Sequence, residues 1–357
     1  MRIAQVAPLH ESVPPKLYGG TERVVSFLTE ELVELGHEVT LFASGDSQTS
    51  ARLIPGCPKS LRLNDYGVAD HLAHHFVMLE EVLARADEFD IIHYHLDYMH
   101  YPLSKMAGIR NITTLHGRLD SPDLVPLYRK YKDMPVVSIS LYQRKPLHWV
   151  NWVGNVYHGL PLDLLKEGDG RGEYLAFLGR ISPEKRVDRA IEIASRLGMP
   201  LKIAAKIDGQ DVAYYESEIK HLLNAPNIEF VGEITEQQKS EFLGNAYAYL
   251  FPIDWPEPFG LTMIEAMACG TPTIAFNCGS VPEVIAHGIS GFVVEDMEGA
   301  IDATKKASSL DRSVVRRDFE KRFSACRMAQ DYVKLYESML SAKPRPAETE
   351  VDSLLTL

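Results

Sequence analysis

The chain has 357 residues, a net charge of −12, 45% hydrophobic residues and 24% charged residues. This length suggests roughly two domains, and the acidic balance argues against a general nucleic-acid-binding protein, which needs a basic surface. No apolar run is long enough to span a bilayer, and the four cysteines have neither metal-ligand nor disulfide-scaffold spacing. The first residues read as a strand rather than a signal peptide, so we expect a cytoplasmic protein.

The first half of the chain alternates strands with helices. Apolar strands are predicted at RIAQVAP, HEVTLFA, FDIIHYH, NITTLH, PVVSIS and WVGNVYHG. Helices are predicted between them at residues 21–36, 68–87 and 122–132. Continuous apolar strands that alternate with amphipathic helices are typical of a parallel sheet covered on both faces.

The second half repeats this alternation. Strands are predicted at YLAFLG, PLKIAA, NIEFVG, AYAYLFP, TPTIAF and GFVVE. Helices are predicted at residues 183–197, 211–223 and 235–245, after Phe259, and at residues 311–340. Two such runs predict two doubly wound domains, with the boundary in the Gly- and charge-rich segment 160–173. Ligands of such sheets bind beyond the carboxyl ends of the strands.

A glycine pair follows the first strand in YGGTERVV, at residues 18–25. Gly19 and Gly20 allow the backbone to approach a ligand closely, and a helix that begins behind them offers unpaired N–H groups to an anion. The pair serves either as a phosphate cradle or as a simple turn. It does not match the G-x-G-x-x-G fingerprint of dinucleotide-binding proteins.

A cationic stretch, FLGRISPEKRVDRA, follows the first strand of the second half. Arg180 comes directly after that strand, and Ser182 is expected to cap a helix whose first turn contains Lys185. A cation at that position opposes the helix dipole, which favours a bound anion. Arg180 and Lys185 could clamp a diphosphate. The alternative is that they form salt bridges with Glu184 or Asp188.

Two glutamates stand eight positions apart in EPFGLTMIEAMACG, at residues 257–270. Glu257 is predicted in a turn and Glu265 beside the apolar stripe of the helix. The neighbouring helical positions hold no cation, so Glu265 needs a partner from elsewhere. The helix N-terminus presents N–H groups to a ligand. These groups belong to Phe259, Gly260 and Leu261.

The next helix start, GSVPEV, contains an S-x-x-E pattern. Ser280 and Glu283 are therefore predicted to form a capping box, in which each side chain bonds to a backbone N–H of the other's residue. This pattern predicts a structural role for Glu283.

Histidines end two strands of the first half. His93 and His95 share one strand face and precede Asp97, and His116 comes before Gly117. A metal site is one interpretation of the first group, but ordinary lining of an active site is favoured. His116 is either hydrogen-bonded within the protein or in contact with a substrate.

A basic and aromatic stretch covers residues 129–149 in this acidic chain. It is a candidate for contact with anionic lipid or with a phosphorylated acceptor. The alternative is a solvated surface.

Four motifs in combination resemble those of the retaining glycosyltransferases of family four, which have the GT-B fold. They are Gly19-Gly20, His116-Gly117, GRISPEK and E-P-F-G-x-x-x-x-E-A-M-A-C-G. The resemblance covers nearly the whole chain. It implies two Rossmann-like domains that face a central cleft, a C-terminal helix that returns to the first domain, and a flexible tail. The expected bounds are 1–165 for the acceptor-side domain, 166–324 for the donor-side domain, 325–342 for the helix and 343–357 for the tail.

The resemblance implies roles for the second domain. Glu265 would hold the ribose hydroxyls of a nucleotide sugar, and Glu257 would hold hydroxyls of the donor sugar. Arg180 and Lys185 would bind the diphosphate and stabilise it as it leaves. The backbone beside Glu257 would also contact the donor, through Pro258, Phe259, Gly260 and Leu261.

The first domain would supply the remaining contacts. Gly19 and Gly20 would approach the phosphates from the opposite side of the cleft, and His116 would contact the transferred sugar. The acceptor-side candidates are His93, His95 and Asp97.

The implied reaction transfers a hexose from a nucleotide diphosphate sugar to an acceptor hydroxyl with retention of anomeric configuration, without a metal or another cofactor. UDP-glucose is the favoured donor and GDP-mannose the alternative, and a lipid-linked or saccharide acceptor is expected. Asp254-Trp255-Pro256 departs from the small residues commoner in the family at this point, which leaves the donor open. The alternatives are a nucleotide-sugar epimerase and a non-catalytic nucleotide-sugar-binding protein. A dinucleotide-dependent oxidoreductase is disfavoured by the missing fingerprint.

Overall fold

The structure is a computed structural model and describes residues 1–16, 19–62, 67–171 and 173–341. The first sheet has seven parallel strands. They are β1 (Arg2–Val6), β2 (Glu38–Ser44), β3 (Arg52–Cys57), β4 (Ile91–Tyr94), β5 (Asn111–Thr114), β6 (Val136–Ser138) and β7 (Trp152–Asn155). Their order is β3-β2-β1-β4-β5-β6-β7.

The second sheet has six parallel strands. They are β8 (Leu175–Arg180), β9 (Leu201–Lys206), β10 (Ile228–Gly232), β11 (Ala248–Phe251), β12 (Thr273–Phe276) and β13 (Gly291–Val294). Their order is β10-β9-β8-β11-β12-β13. The strand order of each sheet reverses beside its first strand, which opens a crevice at the carboxyl ends of the strands.

Helices cover both sheets. The first domain contains α1 (Gly20–Glu34), α2 (His71–Ala84), α3 (Tyr101–Ala107) and α4 (Leu124–Lys130). The second contains α5 (Val187–Leu197), α6 (Val212–Tyr214), α7 (Glu236–Gly244), α8 (Leu261–Ala268), α9 (Val281–Val284) and α10 (Met297–Lys306). The chain continues with α11 (Arg312–Phe323) and α12 (Ala325–Ser341).

The last helix, α12, packs on the first domain rather than the second. Its Tyr332 hydroxyl is 2.8 Å from the hydroxyl of Thr114 on β5, and its Tyr336 hydroxyl accepts a hydrogen bond of 3.2 Å from Gln5 on β1. The predicted fold class, two doubly wound parallel-sheet domains with a helix that returns to the first domain, is confirmed. The predicted tail lies outside the described residues.

The helix predicted at residues 183–197 is shorter in the structure. It begins at Val187, because Arg186 adopts a left-handed backbone with φ of 52° that interrupts the helix. Lys185 instead lies in a turn, where its N–H donates to the carbonyl of Ser182 at 3.1 Å. The prediction that Ser182 caps this helix and that Lys185 lies in its first turn is therefore wrong.

Strand β3 has no counterpart among the predicted elements. Pro55 and Gly56 interrupt its apolar pattern, and its register with β2 shifts near its end. It lies at the edge of the sheet. Edge strands tolerate such residues because one side of the strand needs no hydrogen-bonding partner.

Candidate active site

The two domains face each other through the N-termini of α1 and α8. A Cβ atom added to Gly20, the first residue of α1, would lie 3.7 Å from Cδ1 of Leu261, the first residue of α8. Gly260 precedes α8 with φ of 83°, and a Cβ atom there would come within 2.6 Å of Met263 Cε, so this position requires glycine. Helix N-termini present unpaired N–H groups and a positive dipole end, which suit an anionic ligand.

Glu257 lies in the loop before α8 and carries the first of two buried carboxylates. Its Oε2 atom accepts hydrogen bonds from Lys185 Nζ and, at 3.1 Å, from the indole nitrogen of Trp255. The Lys185 ammonium also lies 4.7 Å from the centre of a Trp255 ring. Lys185 and Glu257 therefore neutralise each other, and a ligand that binds either one must exchange this contact for its own.

Glu265, the second buried carboxylate, has the partner that its own helix lacks. Its Oε1 accepts a hydrogen bond of 2.7 Å from Lys239 on α7 and lies 3.7 Å from Arg23 Nη1 on α1. Burial by itself would raise the pKa of Glu265, but Lys239 and Arg23 outweigh it and hold the pKa below its ordinary value. Its Oε2 atom is buried and has no hydrogen-bond partner among the described residues.

Glu265 lies where the two domains meet. Arg23 of the first domain forms an ion pair with Glu236 of the second, and Glu236 lies 3.3 Å from Lys239. Four alternating charges thus join α1, α7 and α8. The sequence analysis missed Arg23, Glu236 and Lys239, since 26 residues or more separate each cation from Glu265 and no short motif contains them.

Arg180 is the last residue of β8 rather than the residue after it, and its guanidinium pairs with acidic side chains of its own domain. The partners are Glu184 at 2.8 Å, Asp208 at 3.3 Å and Asp211 at 3.3 Å. The ion pair with Glu184 is one of the two alternatives considered from the sequence. A diphosphate would therefore have to compete with these carboxylates for Arg180.

Two further carboxylates lie near the glycine pair. Glu22 of α1 is 6% exposed, and its Oε2 is 3.2 Å from the position that a Cβ atom of Gly19 would take. Glu11 is 2% exposed and accepts a hydrogen bond of 3.0 Å from Arg62. Burial raises the pKa of both Glu11 and Glu22. An anion near Gly20 would meet this acidic pair as well as the helix N-terminus.

His93 and His95 are buried inside the first domain. Each ring nitrogen has a partner at 2.7 or 2.8 Å: Tyr336 and Thr114 for His93, and Gln5 and His116 for His95. Burial keeps the pKa of both histidines well below the ordinary value, so the rings are neutral. Their side chains do not reach the open cleft. No group of three or more His, Cys, Asp or Glu residues in the described ranges is placed to hold a metal ion.

Asp97 differs from these two histidines because solvent reaches its side chain. Its carboxylate accepts a hydrogen bond from the His116 backbone, which lowers the pKa, but desolvation by the surrounding protein outweighs it and raises the pKa to about 6. The His116 ring stacks on His158 with centres 5.3 Å apart, and burial lowers the pKa of His116 to about 3. The first domain therefore offers a neutral imidazole beside an exposed carboxylate.

The predicted capping box of Ser280 and Glu283 is wrong. The Ser280 hydroxyl donates instead to the carbonyl of Phe259 at 2.8 Å. The Glu283 carboxylate crosses to the first domain, where it accepts hydrogen bonds of 2.7 Å from the backbone N–H groups of Leu141 and Tyr142. Glu283 therefore links the two domains, a contact that its local sequence pattern could not reveal.

The basic stretch 129–149 begins at the end of α4 and contains β6. Arg144 lies 5.3 Å from a ring centre of Trp152, and Lys145 lies 4.0 Å from the ring centre of Tyr142. Leu141 is 54% exposed. Within the described residues, no helix has the length and apolar character needed to cross a bilayer. Contact of this stretch with a membrane stays a prediction.

Comparisons with known proteins place this geometry in context. Residues 18–157 match the family model described as Glycosyltransferase Family 4, and residues 166–320 match the model described as Glycosyl transferases group 1. N-acetyl-alpha-D-glucosaminyl L-malate synthase of Bacillus anthracis is 28% identical, over 90% of this chain and 94% of that protein.

Solved structures share the fold at lower sequence identity. Sucrose-phosphate synthase of Thermosynechococcus elongatus has a TM-score of 0.77 and 19% identity, over 96% of this chain and 100% of that chain. Anabaena HepE, solved in complex with UDP and glucose, has a TM-score of 0.72 and 16% identity, over 95% of this chain and 100% of that chain. With one family domain in each half and a GT-B architecture, the chain belongs to the family-four, group 1 glycosyltransferases.

Proposed function

We propose that this protein is a retaining hexosyltransferase that uses a nucleotide diphosphate sugar, with UDP-glucose favoured and GDP-mannose as the alternative. The observation that carries the proposal is the Glu265 carboxylate at the domain junction. One of its oxygens pairs with Lys239, and the other is buried with no hydrogen-bond partner in the part of the chain that the structure describes. A buried acceptor without a partner is unfavourable, and a ribose hydroxyl would satisfy it. Separation of the domains would move Arg23 away and give a nucleotide access.

The sugar and diphosphate would lie beside Glu257. An arriving diphosphate carries negative charge toward Lys185 and Arg180, which then exchange carboxylate partners for phosphate oxygens. Glu257, released from Lys185, is left to accept hydroxyl protons of the sugar. Cations fixed before the reaction stabilise the charge that develops on the leaving diphosphate.

The acceptor would approach from the first domain, where Asp97 and the neutral His116 can orient a hydroxyl group. The acceptor oxygen forms a bond to the anomeric carbon on the face from which the diphosphate leaves, and a diphosphate oxygen takes the proton. In this scheme Glu257 binds the sugar and does not attack it. Attack on the same face retains the anomeric configuration, unlike the paired-carboxylate chemistry of glycosidases.

Metal independence is part of this proposal, because Lys185, Arg180 and the N-termini of α1 and α8 supply positive charge to the diphosphate. Excess EDTA is expected to leave the transfer rate unchanged. Loss of transfer in EDTA with recovery on addition of Mg²⁺ or Mn²⁺ would contradict this part.

We also propose a cytoplasmic enzyme whose stretch 129–149 contacts anionic lipid at the inner face of a membrane. Cosedimentation with vesicles measures this contact. Binding to vesicles rich in anionic lipid, but not to neutral ones, is expected. Equal recovery in the supernatant with both would contradict the membrane contact and leave the transfer reaction unaffected.

Thermal unfolding against UDP, GDP, ADP and their glucose, mannose and N-acetylglucosamine conjugates tests the donor. A ligand at about 100 times its dissociation constant adds about 2.7 kcal/mol to the free energy of unfolding. One nucleotide family should raise the melting temperature, and no shift with any of them would contradict the proposal. Product analysis then excludes the alternatives: an epimerase changes the sugar without releasing nucleotide, and a non-catalytic protein leaves the donor intact.

A further inference from the structure

A cavity of about 790 Å³ continues the cleft beyond Trp255. Its lining includes Trp255, Pro256, Tyr214 and Glu218 of the second domain and Arg118 of the first domain. Small-molecule sites have volumes of about 300–1,000 Å³, and this cavity lies toward the upper end of that range. The side chains proposed to bind the nucleotide and the diphosphate do not line it.

The position of the cavity follows from the order of groups along the cleft. Glu265 marks the ribose end of the proposed donor site, and Glu257 marks the sugar end. Trp255 comes next, because its indole nitrogen donates to Glu257 at 3.1 Å while its ring lines the cavity. The Arg118 guanidinium lies 5.5 Å from a Trp255 ring centre. An occupant of the cavity would therefore meet the sugar end of the donor, where an acceptor must lie.

The side chains of the cavity suit a neutral polyhydroxyl ligand. Its wall holds two arginines and four carboxylates, a net charge of −2 with histidine neutral. Both arginines are already paired: Arg118 with Asp120 at 2.7 Å, and Arg186 with Asp188 at 2.7 Å and with Asp254 at 2.9 Å. Three of the four carboxylates are paired as well, Glu184 with Arg180 and both Asp188 and Asp254 with Arg186. An anionic ligand would therefore meet the negative charge of Glu218 and cations that are already committed.

Aromatic and acidic groups on the same wall match the two surfaces of a sugar. The rings of Trp255 and Tyr214 offer apolar area to the C–H faces of a pyranose, and carboxylates accept hydrogen bonds from its hydroxyl groups. Glu218 is an exposed carboxylate on this wall.

We propose that the acceptor is a neutral saccharide of two or more units, that its reacting hydroxyl meets Asp97 and His116 of the first domain, and that this cavity binds its further units. The proposal rests on the glycosyltransferase function proposed above, since the cavity gains its role from its place beside the donor sugar. It also distinguishes this chain from its Bacillus anthracis relative, whose name includes L-malate, an anion.

Calorimetric titration of the full chain, saturated with the nucleoside diphosphate that binds it, tests the proposal. The probes are neutral gluco- and manno-oligosaccharides of one to four units and oligouronates of the same lengths. In at least one neutral series the affinity should rise about tenfold from one unit to three. The oligouronates of the same length should bind about tenfold more weakly than the neutral oligosaccharides, a difference of about 1.4 kcal/mol in binding free energy. No binding, no gain with length, or equal affinity for oligouronates would overturn it.

A charge reversal on the cavity wall sharpens the test. Glu218→Lys should weaken neutral oligosaccharide binding and strengthen oligouronate binding severalfold. The matched control is Glu216→Lys, because Glu216 is exposed on the same segment, pairs with Lys220 at 2.8 Å and does not line the cavity. Equal effects of the two variants would overturn the inference. Both should bind the nucleotide normally, and failure of the native protein to bind any nucleotide would instead contradict the proposed function.

Discussion

The two walls of the cleft differ in how they carry charge. The wall from the second domain holds buried ion pairs, with Glu257 bound to Lys185 and Glu265 bound to Lys239. The wall from the first domain holds the neutral His116, backed by the buried His95, and the pKa of both imidazoles is lowered. A wall of exchangeable ion pairs suits a charged nucleotide diphosphate, whereas a wall of neutral hydrogen-bonding groups suits a hydroxyl acceptor.

The largest effect is expected from a substitution in the charged wall, the second-domain side of the cleft that holds the Lys185–Glu257 and Lys239–Glu265 ion pairs. Lys185→Ala should lower kcat by about 10²–10³, because the leaving diphosphate loses a cation fixed in advance. The measurement is steady-state transfer from the donor that the thermal screen identifies. Lys202→Ala is the control, since Lys202 pairs with Glu229 at 3.2 Å on strands away from the cleft and should leave kcat unchanged. Equal rates for both variants would remove Lys185 from the chemistry.

Acid should weaken the neutral wall before the charged one. Burial holds the pKa of His93, His95 and His158 well below the ordinary value, so these rings stay neutral in the fold while the unfolded chain takes up protons below about pH 6.5. Their contribution to stability is present above that pH. As the pH falls below about 6.5, the contribution of each histidine to the free energy of unfolding decreases by about 1.4 kcal/mol per pH unit.

Glu265 behaves in the opposite sense to these histidines. Its pKa is lowered in the folded state. Its contribution to the free energy of unfolding is therefore fully present above pH 4.5, the ordinary carboxyl pKa, and is lost only as the pH falls below that value. Hydrogen exchange at pH 7.5 and pH 5.5 measures the difference. Relative to the intrinsic exchange rate at each pH, the strands that carry His93 and Thr114 should lose protection at pH 5.5 while α8 keeps it. An equal change of protection in both domains would contradict the contrast between the walls.

A smaller effect is expected where the walls are joined. Glu283→Gln removes one of the two oxygens that accept the N–H groups of Leu141 and Tyr142, and should lower the free energy of unfolding by about 1 kcal/mol. Chemical denaturation measures this change. Glu298→Gln is the control, because Glu298 pairs with Arg196 on an exposed surface where such pairs contribute little. If Glu283→Gln is no less stable than the control, the link does not hold the domains together.

The two walls also differ in how far the sequence reveals them. GRISPEK and the EPFG segment place Lys185, Glu257 and Glu265 within short motifs, and the structure brings Lys185 and Glu257 into contact. The partner of Glu265 and the reach of Glu283 depend on contacts between distant segments, which local patterns do not encode. The start of α5 was misplaced for a local reason, the left-handed backbone of Arg186.

The central claim is that the charged wall holds a nucleotide through Glu265. Calorimetric titration of UDP and GDP into the native protein and into Glu265→Gln tests it most directly. The variant leaves Lys239 without its carboxylate and is expected to be less stable, so the titration is run at a temperature where both proteins are folded. The account predicts one site in the native protein and an affinity about 10–100-fold lower in the variant, the loss expected for hydrogen bonds to a charged group. Equal affinity in the two proteins, or no binding to the native one, would contradict it.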